Sequence, residues 1–257
     1  MEDLDKPREQ PGAAEHIIQT LQAYGFEWDG EILFQSQRLT AYQDILQQLH
    51  PHCYPCTCSR KDVQQQGYMG SRGLIYAGTC RTHQWPFTGT QQYATRLRTF
   101  NEPIEFTDQI QGWHCQYLAS ELGDFVIKRA DGIFAYQLAV VVDDAFQSIN
   151  QIVRGADLLD NTPRQLYLQS LLGYASPSYA HVPLAVDNNG QKLSKQNLAP
   201  ALPTNKILQN LVNALRFLGQ DCPPAEAFTH LHECWDWAIA HWNLERVPKV
   251  MTRAYLV

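Results

Sequence analysis

Ile149-Asn150-Gln151-Ile152-Val153, then Thr162-Pro163-Arg164-Gln165, then Val182-Pro183-Leu184-Ala185-Val186 read in turn as strand, helix start and a further apolar segment that leads into a lysine-containing loop. Thr162 suits the N-cap, Pro163 the first helical position, and Gln165 follows three residues after the cap. Leu166, Leu168, Leu171 and Leu172 carry that helix to Gly173. Strands alternating with helices along this part of the chain argue for an α/β sheet. Working outward, Phe125 to Arg129 reads as another strand. Ala139-Val140-Val141-Val142, closed by Asp143-Asp144, reads as a strand buried on both faces of a parallel sheet. Ile32-Leu33-Phe34 is a further short candidate. Helical spacing recurs at Ile17, Ile18, Leu21 and Tyr24, and again at Leu39, Tyr42, Ile45, Leu46 and Leu49. Beyond Ala199–Pro203, Ile207, Leu208, Leu211, Leu215 and Leu218 share a face, and Phe228 to Trp242 makes a last helix. From His50 to about His114 periodicity fails, and this region reads as a loop-rich insertion.

The chain has 257 residues, 44% hydrophobic and 18% charged, the composition of an ordinary globular protein. No run of apolar residues is long enough to span a membrane. Met1-Glu2-Asp3-Leu4-Asp5-Lys6 is acidic and has no apolar core, so it is no signal peptide; a cytoplasmic protein is expected. Net charge is −6, so a nucleic-acid partner is not announced globally and needs a local basic face. The mild basic excess at Arg246, Lys249 and Arg253 fits a solvated helix face.

Three features carry chemistry. Lys192-Leu193-Ser194-Lys195-Gln196 follows Gly190 and precedes Pro200 and Pro203. Two ammonium groups on flexible stems can clamp a polyphosphate, although any solvated loop can hold such a run. Cys56-Thr57-Cys58 and Cys80 supply three soft thiolates, and Cys53, His83, His52 or Tyr76 could complete a tetrahedral zinc site; three free thiols in a loop is the plainer alternative. Arg154, after a candidate strand, could fork onto a carboxylate, with a salt bridge to Asp157 or Asp144 as the alternative. Tyr136 could donate to a substrate or simply pack. The acidic residues Glu2, Asp3 and Asp5 could equally be a frayed, solvated end.

Together these residues carry a resemblance. Lys192-Leu193-Ser194-Lys195-Gln196 is similar to the lysine-serine-lysine signature of class I aminoacyl-tRNA synthetases. Gln35–Arg38, Val140–Asp144, Val153–Asp157 and Glu2–Asp5 with Arg8 resemble the glutamyl-tRNA synthetase branch. Cys56, Cys58, Tyr76 and Cys80 are spaced as in its short paralogues, the glutamyl-queuosine tRNA(Asp) synthetases. The resemblance implies a Rossmann-type parallel sheet of α/β class with a zinc-containing insertion and a helical C-terminal part. It divides the chain into 1–50, the rest of the first half of the nucleotide-binding fold; 51–115, the insertion; 116–200, the second half with the lysine loop; and 201–257, the helical region. It implies ATP, with magnesium, as substrate, and activation of glutamate without tRNA. The glutamyl group then passes to queuosine at the wobble position of tRNA(Asp). Glu2, Tyr136 and Arg154 are implied to contact glutamate, Lys195 to contact ATP, Lys192 and Lys195 to assist catalysis, and Cys56, Cys58, Tyr76 and Cys80 to bind zinc, in a monomer with no membrane partner. Such synthetases begin with a strand, a His-x-Gly-His-like loop and a helix ahead of the Glu2–Asp5 motif. His16 and His181 lack that context, so an N-terminally truncated domain is expected, with Met1 an internal methionine of a longer protein. The catalytic core of a glutamyl-tRNA synthetase, and an inactive zinc- and tRNA-binding remnant, are the alternatives.

Overall fold

The computed structural model describes residues 1–6, 9–70, 73–86, 89–193, 202 and 205–255. Helix α1 (Ala13–Ala23) ends where Gly25 takes a positive φ of 76°, and α2 (Leu39–Gln48) follows. The stretch read as loop-rich instead carries β1 (Cys53–Cys56), α3 (Arg60–Gln66), β2 (Tyr68–Gly70), β3 (Gly73–Ile75), β4 (Ala94–Leu97), β5 (Pro103–Asp108) and β6 (Gly112–Tyr117). Its strands are short and interrupted, so no period emerges from the sequence. Then come α4 (Leu118–Glu121), β7 (Phe125–Lys128), α5 (Tyr136–Phe146), β8 (Gln151–Gly155), α6 (Thr162–Leu172), β9 (Ser178–Val182) and β10 (Leu184–Val186). Helices α7 (Ile207–Phe217) and α8 (Leu231–His241) and strand β11 (Thr252–Ala254) complete the described elements.

The strand before α6 and the helix itself form as read, but the parallel partner of β8 is β9, upstream of the apolar segment Val182–Val186, and Arg154 is the register partner of His181. Their sheet is mixed rather than wholly parallel, in the order β6-β5-β9-β8, with β5 parallel to β9 and antiparallel to β6. Strand β7 forms where expected but lies antiparallel to β4 in a second, three-stranded sheet with β1.

Four further expectations need correcting. Ala139–Val142 is not a strand but the middle of α5. Leu138, Ala139, Val141 and Val142 are buried and Val140 is partly so, within the main core beside residues of α2 and α6. A helix covered on most of its circumference reads as one continuous apolar run, as a doubly buried strand does. Ile32–Phe34 forms no strand, although Met1 and this segment exchange backbone bonds: the terminal ammonium donates to Leu33 O, and Gln35 N donates to Met1 O. Val182–Val186 splits at Pro183, which has no N–H to give a ladder; β10 turns to pair with β11. Thr162 lies inside α6, after Asn161 at the cap position, and its hydroxyl serves Arg154 instead of the helix end.

The main core joins α2, β1, β4, β7, α5 and α6. A second cluster holds α7 against α8 through Leu211, Val212, Leu215, Cys234 and Ala238. No described helix is long and apolar enough to cross a membrane.

Candidate active site and metal centre

The N-terminal acidic residues are anchored, not frayed. Asp3 is buried, and its carboxylate accepts from Ser36 N at 2.8 Å, Ser36 Oγ at 2.5 Å and Lys6 Nζ at 3.3 Å. Burial alone would raise its pKa, but the Ser36 bonds outweigh burial and lower it. Asp5 pairs with Arg129 at 3.1 Å. The next segment is tied down from α5: Asp143 accepts from Gln35 Nε2 (3.1 Å), Arg38 Nε (2.7 Å) and Tyr42 Oη (2.7 Å). The Gln35–Arg38 stretch therefore works as a clasp, with Ser36 gripping Asp3 while its neighbours grip Asp143.

Glu2, next in the chain to the clasped Asp3, feels the charge of Arg154, which stands near the carboxyl end of β8, the place where open α/β sheets bind ligands. Tyr136, the first residue of α5, lies 3.4 Å from Arg154 Nη1 through its hydroxyl. Arg154 stands near the end of β8. It donates from Nε to His181 Nε2 (3.0 Å) and from Nη2 to Thr162 Oγ1 (2.9 Å) and Leu158 O (3.4 Å), and lies over the Tyr179 ring at 5.4 Å. Among the described residues Arg154 forms no salt bridge to Asp157, which pairs with Lys192, and acts on Asp144 only through its charge. Its charge nonetheless reaches its neighbours. Crowding by surrounding protein raises the Glu2 carboxyl, with the terminal ammonium and Arg154 opposing and Asp143 adding to the rise. Burial lifts Asp144 to about 6, against the pull of Arg154. Burial also raises Tyr136, again opposed by Arg154. Glu2, Tyr136, Arg154 and Asp144 thus form one electrostatic unit: a cation whose Nη1 end faces the phenol, and two carboxyls. Such a set suits a small ligand that carries both an ammonium and a carboxylate.

Asp108 and His181 are additions that sequence reasoning missed. Both are fully buried, with Asp108 Oδ2 2.6 Å from His181 Nδ1. The available signal was a histidine in the buried run Tyr179-Ala180-His181, where a polar ring needs partners.

Lys192 sits just after β10, bridged to Val186, with its ammonium on Asp157, two residues beyond the carboxyl end of β8. Gly155 makes room for that carboxylate: a Cβ there would meet Asp157 Oδ1 at 2.8 Å. Ser194, Lys195 and Gln196 lie outside the described residues, as does Arg8.

In the region 51–115, the sulfurs of Cys56, Cys58 and Cys80 lie within 4.8 Å of one another. Tyr76 Oη is 3.4 Å from Cys56 Sγ and 3.6 Å from Cys58 Sγ. Ligand atoms at the corners of a zinc tetrahedron stand about 3.8 Å apart when the metal–sulfur distance is about 2.3 Å. The donor set fits a soft divalent cation. Of the four possible fourth donors, Tyr76 is at the cluster, whereas Cys53 packs into the main core and the His83 ring meets Pro55 O. Burial opposes ionisation of Cys80, but bonds from the Thr57 backbone, Tyr76 and Cys58 bring it down to about 6; burial leaves Cys58 at about 11. Arg96 backs the cluster, with Nε 3.2 Å from Cys56 Sγ and its guanidinium 3.9 Å over the Tyr76 ring.

The sheet, the strand-end cation and the lysine turn define a class of protein. The family described as tRNA synthetases class I (E and Q), catalytic domain, matches residues 1–234. The fold agrees: a glutamate tRNA ligase from Elizabethkingia meningosepticum, solved in complex with its amino acid, superposes with a TM-score of 0.77 at 19% identity over 100% of this chain. The glutamate-tRNA synthetase of Elizabethkingia anophelis gives 0.76, also at 19% identity. The chain spans 59% and 60% of the length of these two solved proteins. Within the class, a glutamyl-Q tRNA(Asp) synthetase of Neisseria meningitidis serogroup C is 51% identical over 97% of this chain and 85% of its own length. Those of Dechloromonas aromatica and Pseudomonas aeruginosa are each 50% identical, over 97% and 98% of this chain and 83% and 84% of their own lengths. The chain belongs to the glutamyl-Q tRNA(Asp) synthetase family.

Proposed function

We propose that this synthetase domain activates glutamate with ATP in the absence of tRNA and transfers the glutamyl group to queuosine at the wobble position of tRNA(Asp), in the cytoplasm. One observation carries the reading: Arg154 is held on one edge by His181 and Thr162 while its Nη1 end turns toward Tyr136. A carboxylate of glutamate docks on that end, with Tyr136 donating a hydrogen bond and Glu2 accepting from the substrate ammonium. The α-carboxylate then attacks the α-phosphate of ATP, forming glutamyl-adenylate and releasing pyrophosphate. Catalysis of this kind is mainly alignment and charge stabilisation. Lys192 and Lys195 supply the cations, with magnesium accompanying ATP, and Lys192 leaves Asp157 to meet the phosphates. A hydroxyl of the queuosine cyclopentenediol next attacks the activated carbonyl, and AMP departs. Cys56, Cys58, Tyr76 and Cys80 hold zinc. The metal's role is structural, cross-linking the 51–115 region, with no part in the transfer. Roughly 50% identity to glutamyl-Q tRNA(Asp) synthetases over nearly the whole chain supports the choice of tRNA.

Glutamate-dependent exchange of pyrophosphate into ATP, measured without tRNA, tests the first half. Transfer of radiolabelled glutamate to queuosine-containing tRNA(Asp) but not to tRNA(Glu) tests the second. Charging of tRNA(Glu) at its 3′ end would replace this reading by that of a glutamyl-tRNA synthetase core.

A further inference from the structure

An arginine Nε–H can only donate. His181 Nε2, 3.0 Å from Arg154 Nε, must therefore accept, and the ring proton belongs on Nδ1. That nitrogen faces Asp108 Oδ2 at 2.6 Å. The other carboxylate oxygen of Asp108 takes three backbone donors, from Ile110 (3.0 Å), Gln111 (2.8 Å) and His181 itself (3.1 Å). These bonds keep the carboxylate charged despite complete burial, so it has only acceptors to offer the ring. Tyr179 lies parallel to the imidazole, centroids 6.1 Å apart, and beneath the guanidinium, which fixes both planes. His181 Nε2 is also 3.4 Å from Thr162 Oγ1, the second anchor of Arg154. One edge of the guanidinium is thereby locked by the protein, while the Nη1 end meets the Tyr136 hydroxyl at the longer distance of 3.4 Å, the side from which a ligand carboxylate would approach.

We propose that Asp108 and His181 are positioning residues for substrate recognition: Asp108 holds His181 as the Nδ1–H tautomer, and His181 Nε2 then aims Arg154 at the substrate carboxylate. This rests on the reading of Arg154 as the glutamate-binding cation. Neither residue touches the substrate, and the two stand 73 positions apart in the chain. A tautomer fixed by a second buried group orients a functional side chain much as outer-shell carboxylates orient metal-binding histidines.

Asp108→Asn is the decisive variant. Its side chain keeps the size and the oxygen that takes the backbone donors, but its amide turns N–H toward His181 Nδ1. The ring proton then moves to Nε2 and confronts Arg154 Nε–H, donor against donor. Binding of L-glutamate to the purified chain, followed by calorimetry, should weaken about 10- to 100-fold, as expected for losing a charge-assisted bond or an outer-shell partner. Side-chain ¹⁵N spectra should show Nδ1–H for His181 in the wild type and Nε2–H in the variant. His181→Gln offers an amide oxygen near the Nε2 position and should keep most of the affinity, whereas His181→Leu should lose it. If the leucine variant fails to fold, the Asn and Gln variants still decide. An Nε2–H tautomer in the wild type, an unchanged tautomer in Asp108→Asn, or a switched tautomer with unaltered glutamate affinity would each overturn the inference. Arg154→Ala separates it from its premise. If that change leaves glutamate affinity intact, the glutamate reading of Arg154 falls and the inference with it. If Arg154→Ala abolishes binding while Asp108→Asn does not weaken it, only the positioning role fails.

Discussion

Asp143→Ala removes the carboxylate that holds the Gln35–Arg38 clasp, and its cost can be worked from the geometry. Three donors lose their acceptor: Gln35 Nε2, Arg38 Nε and Tyr42 Oη, at 3.1, 2.7 and 2.7 Å. The Arg38 and Asp143 side chains are 15% and 7% exposed, so the pair is largely desolvated. Deleting one partner of a buried ion pair costs about 3–5 kcal/mol. Arg38 keeps some support, because its guanidinium lies 3.9 Å over the exposed Phe146 ring, which argues for the lower end. Tyr42 is fully buried, and a buried hydroxyl left without an acceptor adds about 1–3 kcal/mol. The two costs share one site and do not simply add, so a net loss of about 4 kcal/mol is expected. Asp143→Asn keeps one oxygen and should lose about half as much. Urea unfolding followed by circular dichroism at neutral pH measures both. A loss below about 1 kcal/mol, the ordinary cost of a substitution, would refute the view that this carboxylate organises the clasp. Because Ser36 carries Asp3 and so sets Glu2, glutamate binding should fall in the same variant.

Other outcomes are expected. Asp144 has its carboxyl raised to about 6, chiefly by burial; the folded state then binds more protons than the unfolded one, and stability falls as pH rises through the window from about 4 to about 6. Asp144→Asn should accordingly gain stability at pH 8 and almost none at pH 3.5, as read by thermal melts at the two pH values. Purified chain should carry zinc by elemental analysis, and a strong chelator or Cys80→Ser should lower the melting temperature; a metal-free, equally stable protein would refute the metal centre. Gly219 has φ +78° and a hypothetical Cβ that would collide with Arg246 O, so Gly219→Ala should cost more than about 1 kcal/mol in urea unfolding.

Legibility from sequence followed burial. Strand β7 and helices α2, α7 and α8 bury residues at the expected period, α1, which buries none, and α6 are punctuated by Gly25 and Gly173, and these elements and β8 were visible to within a few residues of their bounds. Helix α5 was not, because Leu138 to Val142 are covered nearly all round and the helical period disappears. Tyr136 and Arg154 stood out beside recognisable segments, and the structure brings them together. His181 did not, because its meaning depends on Asp108 from another strand. Asp143 likewise gathers partners 101 to 108 positions away. Contacts that close across such separations leave no local period. Tyr76 was one of four equal possibilities by spacing, and only the folding of β3 toward β1 and the Cys80 turn brings its hydroxyl to the sulfurs.

Arg154 and His181 are paired across β8 and β9, two parallel strands in register. Their separation is therefore set by the spacing of neighbouring strands, not by the length of chain that joins them. Leu158 and Thr162 must keep their places as anchors of Arg154, but the turn 173–177 that leads from α6 into β9 could lengthen or shorten without moving the guanidinium, provided the ladder stays in step. A slip of one residue would instead turn the imidazole to the opposite face of the sheet. The recognition geometry is thus insulated from change in that turn and hostage to a single strand register, so variation among related chains should gather in the first and be scarce in the second.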